Sequence, residues 1–297
     1  MTDILLCMPV QDGFDWTVRA LKAVDSSVNG SDRVSVLVFD NLSTEPVPKS
    51  LESGWVHIDV SVERAPYNWG YYAPLRYAYM KALADGIPFV GLMHNDLLIY
   101  ERGWDRRMVE AFDDLKLGLV GLCGSNEADA AGGRGAGTMC HFRGTPGLGQ
   151  SQDAGRRIHG LEPAILLDSL FMLFRTPAIG ALQEDWNNLP LAHFYDKIWP
   201  LKLAQVGWRT AVLGIECDHA GGITLVANQG YTDSCKNWFD SRPEEASHIP
   251  TGAHEGDGSI NWNTAMYLMA EQRLLSVYRD REKLIPCRID HDYRIHK

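Results

Sequence analysis

The sequence predicts an α/β fold organised around a mostly parallel sheet. Short apolar runs recur along the chain, each ending abruptly in polar residues, and segments with helical apolar spacing lie between them. The length of 297 residues, 45% of them hydrophobic, suits one large domain or a domain with an extension, with interior enough for a substantial core.

The first run, Ile4 to Val10, contains Pro9 and is followed by Gln11-Asp12-Gly13, as expected of a buried parallel strand. Trp16 to Val24 has helical spacing. Val34 to Phe39 is a second strand ending at Asp40-Asn41-Leu42-Ser43, and Val56 to Val60 reads as a third. Tyr72 to Ala84 is a helix, and Pro88 to Met93 a fourth strand ending at His94-Asn95-Asp96. Leu117 to Cys123 continues the sheet. From Gly124 to Arg157 the chain is rich in Gly, Ala, Ser and Arg, the composition of a long mobile loop that gates substrate. Ala164 to Phe174 reads as one long buried strand, Pro177 to Leu182 as a short helix and His193 to Gln205 as an amphipathic one. Arg209 to Ile215 is a strand that ends at Glu216 to Gly222. The remainder reads as loop-rich until a closing helix from Trp262 to Tyr278.

Composition excludes several classes. A net charge of −10 disfavours indiscriminate binding to a phosphate backbone, although Arg134, Arg143, Arg156 and Arg157 concentrate positive charge in the Gly-rich stretch. The six cysteines form no Cys-x-x-Cys pair, so free and mostly buried thiols are expected rather than a zinc site or disulfide scaffold. No apolar stretch is long enough for a transmembrane segment and Met1-Thr2-Asp3 is no basic signal flank, so a cytoplasmic location is expected. Neither Gly-x-Gly-x-x-Gly after the first strand nor Gly-Lys-Ser/Thr anywhere supports a classical dinucleotide fold or a P-loop. In open sheets ligands collect beyond the carboxyl ends of the strands, which directs attention to Pro9 to Asp12, Asp40 to Ser43 and His94 to Asp96.

The order of these features resembles the inverting GT-A glycosyltransferases of the large family two type, over residues 1–222. A proline-containing opening strand, Asp40-Asn41-Leu42-Ser43 at the second strand end, Asn68-Trp69-Gly70 before a helix, and His94-Asn95-Asp96 in place of the family's Asp-x-Asp follow in the family's order. The resemblance implies a GT-A fold, a Rossmann-like nucleotide-binding sheet flanked by helices. It divides the chain into a nucleotide-sugar-binding half, 1–123, an acceptor half, 124–222, and a C-terminal extension, 223–297, packing on the core. It implies a nucleotide-sugar donor, most commonly a UDP-sugar, contacted by Pro9, Val10, Asp40, Asn68, Gly70, Arg76, His94 and Asn95. His219-Ala220-Gly221-Gly222 matches the family's His-x-x-Gly, so Asp96 and His219 are the expected ligands of a divalent metal, Mn2+ or Mg2+, with His94 behind them or at the ribose. Asp196 lies eleven residues before Gly207, where the family places its catalytic base. Tyr195 and Ile198 stand where acidic residues are usual, and Glu184 and Asp185 are alternative bases.

The chemistry explains the parts. Departure of a nucleoside diphosphate develops negative charge that a metal stabilises, and the acceptor hydroxyl needs a carboxylate to take its proton. Trp69 and Trp186 lie beside the expected donor and acceptor segments, where sugar faces stack on rings. The acceptor is open, an anionic molecule or a modified nucleic-acid base among the candidates. Two other readings are a sugar nucleotidyltransferase, which would carry a Gly-rich basic signature after the first strand, and a non-catalytic binding protein on a degenerate GT-A fold.

Overall fold

The structure, a computed structural model, describes residues 3–29, 34–128, 137–146, 148, 155–183, 193–221, 229–279 and 294–295. Strand β1 (Ile4–Val10) leads into α1 (Phe14–Ser27), β2 (Val34–Asp40), β3 (Ile58–Arg64), α2 (Ala73–Asp85) and β4 (Phe89–Met93). Then come β5 (Leu97–Ile99), α3 (Trp104–Ala111), β6 (Leu117–Gly121) and a run of short strands, β7 (Gly124–Ser125), β8 (Glu127–Ala128), β9 (Thr138–Cys140), β10 (Arg156–Arg157), β11 (Leu161–Pro163) and β12 (Leu166–Leu167). The chain continues through β13 (Phe171–Arg175), α4 (Thr176–Gly180), α5 (Tyr195–Gln205), β14 (Arg209–Leu213) and β15 (Cys217–His219). It ends with α6 (Gln229–Asp240), α7 (Pro243–Ala246), α8 (Trp262–Arg279) and β16 (Arg294–Ile295).

Among the described residues the main sheet has eight strands in the order β11-β14-β6-β13-β4-β1-β2-β3. Strand β1 pairs in parallel with β2 and β4, β2 with β3, and β14 with β6, while β13 runs antiparallel between β4 and β6. The order doubles back at β1, so α1 and α2 fall on opposite faces. Side chains of a strand alternate between faces. Ile4, Leu6, Met8 and Val10 therefore meet Leu21 and Val24 of α1 and Trp104 and Met108 of α3 in one core. Leu5 and Cys7 enter the other, against Leu75, Ala78 and Ala82 of α2 and Ile198 and Trp199 of α5. A third, smaller core joins Tyr231, Cys235 and Phe239 of α6 to Ala265, Met266 and Met269 of α8.

The centre of the sheet has no spare volume. A Cβ on Gly91 in β4 would lie 2.6 Å from the carbonyl oxygen of Met172 on β13. Gly91→Ala is therefore expected to cost about 1–3 kcal/mol through overpacking, seen as a lowered denaturant midpoint.

Several expectations change. The stretch from Ala164 to Phe174 is not one strand: a turn at Asp168-Ser169-Leu170, where Asp168 Oδ1 accepts the Leu170 N–H at 3.1 Å, separates β12 from β13. The expected loop 124–157 holds β7, β9 and β10, which with β12 form a four-stranded sheet; Arg134 and the rest of 129–136 lie outside the described residues, as do 147, 149–154 and Gly222. The third strand begins at Ile58 rather than Val56 and alternates in burial as an edge strand does. The loop-rich C-terminal stretch contains α6, whose Tyr231, Cys235 and Trp238 to Phe239 repeat at helical spacing. Cys7, Cys123, Cys140, Cys217 and Cys235 are buried. No helix among the described residues is long and apolar enough to cross a membrane.

Candidate active site

Among the described residues, a smaller and a larger cleft open at the carboxyl ends of the parallel strands. The smaller, about 280 Å³, is walled by Pro9, Val10 and Gln11 at the end of β1, by His94 and Asp96 beyond β4, and by the start of α5, including Asp196 and Lys197.

His94, Asp96 and His219 converge in its floor. Strand β4 ends at Met93, and a tight turn, with the Leu97 N–H on the His94 carbonyl, redirects the chain into β5. Strand β15 pairs antiparallel with β5, placing His219 opposite Leu97. The Ala220 N–H then donates to the Asp96 carbonyl at 3.1 Å and the Gly221 N–H to Asp96 Oδ2 at 3.0 Å. These bonds leave Asp96 Oδ1 facing the two imidazoles. His219 Nε2 lies 3.0 Å from Asp96 Oδ1 and 3.0 Å from His94 Nδ1, and His94 Nδ1 lies 3.7 Å from Asp96 Oδ1. Adjacent ligands of a small divalent ion with bonds of about 2.1 Å are about 3 Å apart, so the three atoms fit one coordination sphere.

Charge in the floor is arranged accordingly. Burial opposes ionisation of Asp96, but His219, His94 and the Gly221 N–H together outweigh it and hold its carboxyl below the ordinary value. Burial, and then the neighbouring His219, push His94 down to about 4 against the pull of Asp96 and Asp168. His94 is thus neutral at pH 7, the form that ligates a metal. An unfolded histidine protonates near 6.5, so between 6.5 and about 4 the unfolded chain binds more protons than the native one. The metal-free protein is expected to lose stability as pH falls through that window and His94→Gln to lose less, measured by denaturant midpoints at stepped pH.

Tyr71 packs edge-on to His94, with ring centroids 4.7 Å apart, and its buried hydroxyl has no hydrogen-bond partner. Burial, then Tyr195 and Asp96, raise its pKa well above the ordinary value and keep it a neutral donor. An unpartnered buried donor costs about 1–3 kcal/mol, a cost a bound ligand's oxygen would remove. On the far wall His193 and Phe194 have φ of 74° and 58°, left-handed values sparsely populated by such residues. His193 Nε2 and the Tyr231 hydroxyl are 3.2 Å apart, tying this turn to α6 just before Asp196 enters the first turn of α5.

The larger cleft, about 1310 Å³, adjoins the smaller at Gln11 and Asn68, whose side chains are joined by a 2.7 Å hydrogen bond. Of the residues expected to contact a donor, Pro9, Val10, Asn68, Gly70 and His94 line the smaller cleft, and Arg76 and Asn68 the larger. Asp40 lines neither: it is fully buried, accepts the Ser43 N–H at 2.7 Å and pairs with Arg64 at 3.1 Å, so it shapes the turn after β2. Its neighbour Asn41 reaches the cleft and holds the Asn68-Trp69-Gly70 segment, donating to the Gly70 carbonyl at 2.7 Å and accepting the Trp69 N–H at 3.2 Å. Asn95 donates to Thr17 Oγ1 of α1 at 3.2 Å. Glu184, Asp185 and Trp186 lie outside the described residues. Tyr71, Ser169, His193, Lys197 and Tyr231 join the cleft without a sequence signal that marked them, because their convergence depends on contacts between distant segments.

No protein-family model matches the chain, and no curated protein does. Solved structures do. The mannosyltransferase PcManGT from Pyrobaculum calidifontis, in complex with GDP-Man and Mn2+, superposes with a TM-score of 0.51 at 14% identity, over 94% of this chain and 73% of that one. S. aureus TarS 1-349 in complex with UDP-GlcNAc superposes with a TM-score of 0.51 at 15% identity, over 95% of this chain and 72% of that one. The fold is GT-A, an α/β sheet flanked by helices, as the sequence predicted.

Proposed function

We propose that this chain is a glycosyltransferase that moves a sugar from a nucleoside-diphosphate sugar to an acceptor hydroxyl with inversion. The observation that carries the reading is the convergence of His94, Asp96 and His219 in the same cleft as Asp196, at the ligand-binding edge of a GT-A sheet. The nucleotide sugars in the two similar structures, and the Mn2+ in one, support it.

His94, Asp96 and His219 would hold Mn2+ or Mg2+, the two imidazoles favouring Mn2+. Bound there, the ion supplies Lewis-acid stabilisation of the charge that grows on the departing diphosphate. The remaining work falls to the chain's own groups. Asn68, Gly70 and the end of β1 position the donor, and the Tyr71 hydroxyl offers it a hydrogen bond. Asp196 accepts the acceptor's proton as the new glycosidic bond forms, and attack opposite the leaving group inverts the anomeric centre. Lys197, in the same wall, suits an acceptor carrying negative charge. Residues 1–222 form the transferase unit in this reading, completed by the helices of 223–297.

Thermal shift with a panel of nucleoside diphosphates and sugar nucleotides, with and without Mn2+, tests this. A Mn2+-dependent rise in melting temperature is expected for one nucleotide, corresponding to about 2.7 kcal/mol at a ligand concentration of a hundred times Kd. No shift with any nucleotide, in either condition, would overturn the reading.

A further inference from the structure

The larger cleft has two dissimilar walls. One is built from the strand ends and the approach to α2: Tyr67, which is 62% exposed, Trp69, and the cation of Arg76. The indole Nε1–H of Trp69 is buried without a partner. The other wall is α6, which turns its apolar side, Tyr231, Cys235 and Phe239, into the C-terminal core. Its other side, with Asp233, Ser234, Asn237 and Trp238, lines the cleft, and Ser241 and Arg242 join it just past the helix end. A helix normally gives such residues to bulk water; here they stand across a cavity from aromatic rings.

This pairing has a chemical meaning. Rings supply stacking, and the Asn237 amide supplies a donor and an acceptor at an edge, the combination that recognises a planar heteroaromatic base. The neighbouring cleft, at about 280 Å³, is small for a whole nucleotide sugar, whereas ligand sites of that size class occupy ~300–1,000 Å³. The two clefts meet at Gln11 and Asn68, and none of His193 to Lys197 lines the larger one. An acceptor must bring its hydroxyl to Asp196, so the larger cleft takes the part of the donor remote from the reacting carbon.

We propose that α6 is part of the donor site, closing over the nucleoside and reading its base through Asn237. The inference rests on the transferase reading above and adds to it the element that selects the nucleotide. It gives the C-terminal helices a role in specificity rather than in packing alone.

Binding of nucleoside 5′-monophosphates, uridine, guanosine, cytidine and adenosine, measured by calorimetry without metal, tests it on the full chain. Asn237 is exposed on α6, so the variant Asn237→Ala is expected to fold, checked by melting temperature. It is also expected to take up Mn2+ as the wild type does. Its affinity for the preferred nucleotide should fall about tenfold or more, and the spread between bases should collapse, as loss of the amide's donor and acceptor implies. A variant that keeps wild-type affinity and base ranking would overturn the role of α6 while leaving the transferase reading intact. A wild type that binds no nucleotide, with or without Mn2+, would remove both.

Discussion

Asp96→Asn is expected to bring Mn2+-dependent nucleotide binding to background and to lower sugar transfer by about 10²–10³-fold or more. The substitution is chosen for its shape. An asparagine oxygen can still accept the Gly221 N–H that now reaches Asp96 Oδ2 at 3.0 Å, so the link between β5 and β15 survives. What disappears is the one anionic group of the three that converge, the oxygen 3.0 Å from His219 Nε2. Two imidazoles alone hold a hard divalent ion poorly, because such ions prefer charged oxygen ligands. His219→Ala is expected to give a similar loss. The double variant should be little worse than either single one, since both remove the same bound ion and such effects do not add. Calorimetric titration with Mn2+ reads the site directly, without an acceptor. A full Mn2+-dependent shift retained by Asp96→Asn would mean that the ion binds elsewhere or has no part in the site.

How much of this site the sequence disclosed depends on how local each part is. Strands β1, β2, β4 and β6 were legible because a strand buried on both faces is a continuous apolar run, and each stops where the chain turns polar at the sheet edge. Asp96 and His219 were legible through the order of motifs. The place of His94 was not: its approach to His219, 125 residues away, exists only because β15 pairs with β5, and β5 is a three-residue strand with no pattern of its own. Asp40 shows the opposite failure. It occupies the motif position, yet Arg64 and the Ser43 N–H use its carboxylate internally, and nothing in Asp40-Asn41-Leu42-Ser43 distinguishes a group that binds a ligand from one that shapes the turn presenting its neighbour. The break at Asp168 was hidden because its flanking residues are as apolar as a strand interior, although it is this break that delivers Ser169 to the cleft. Helix α6 was missed for a related reason: Gly, Asn and Thr around it suggest loop, and its apolar stripe gains its strength from packing against α8.

Asp196→Asn is expected to separate chemistry from binding. A general base makes its interaction in the transition state only, so its loss should fall on kcat, by about 10²–10⁴-fold, with nucleotide affinity and its metal dependence unchanged. The geometry favours this division. Asp196 enters the first turn of α5, where the helix dipole stabilises negative charge, and it lines the cleft that holds His94 and Asp96 without belonging to their cluster. The preceding turn, with φ of 74° at His193 and 58° at Phe194, sets the direction from which the helix starts. The Tyr231 hydroxyl on His193 connects that turn to α6. Transfer at wild-type rate would show that another group takes the proton. A loss of nucleotide binding together with rate would instead make Asp196 part of the donor site, because a base acting only on the acceptor has no means of weakening a donor bound before it.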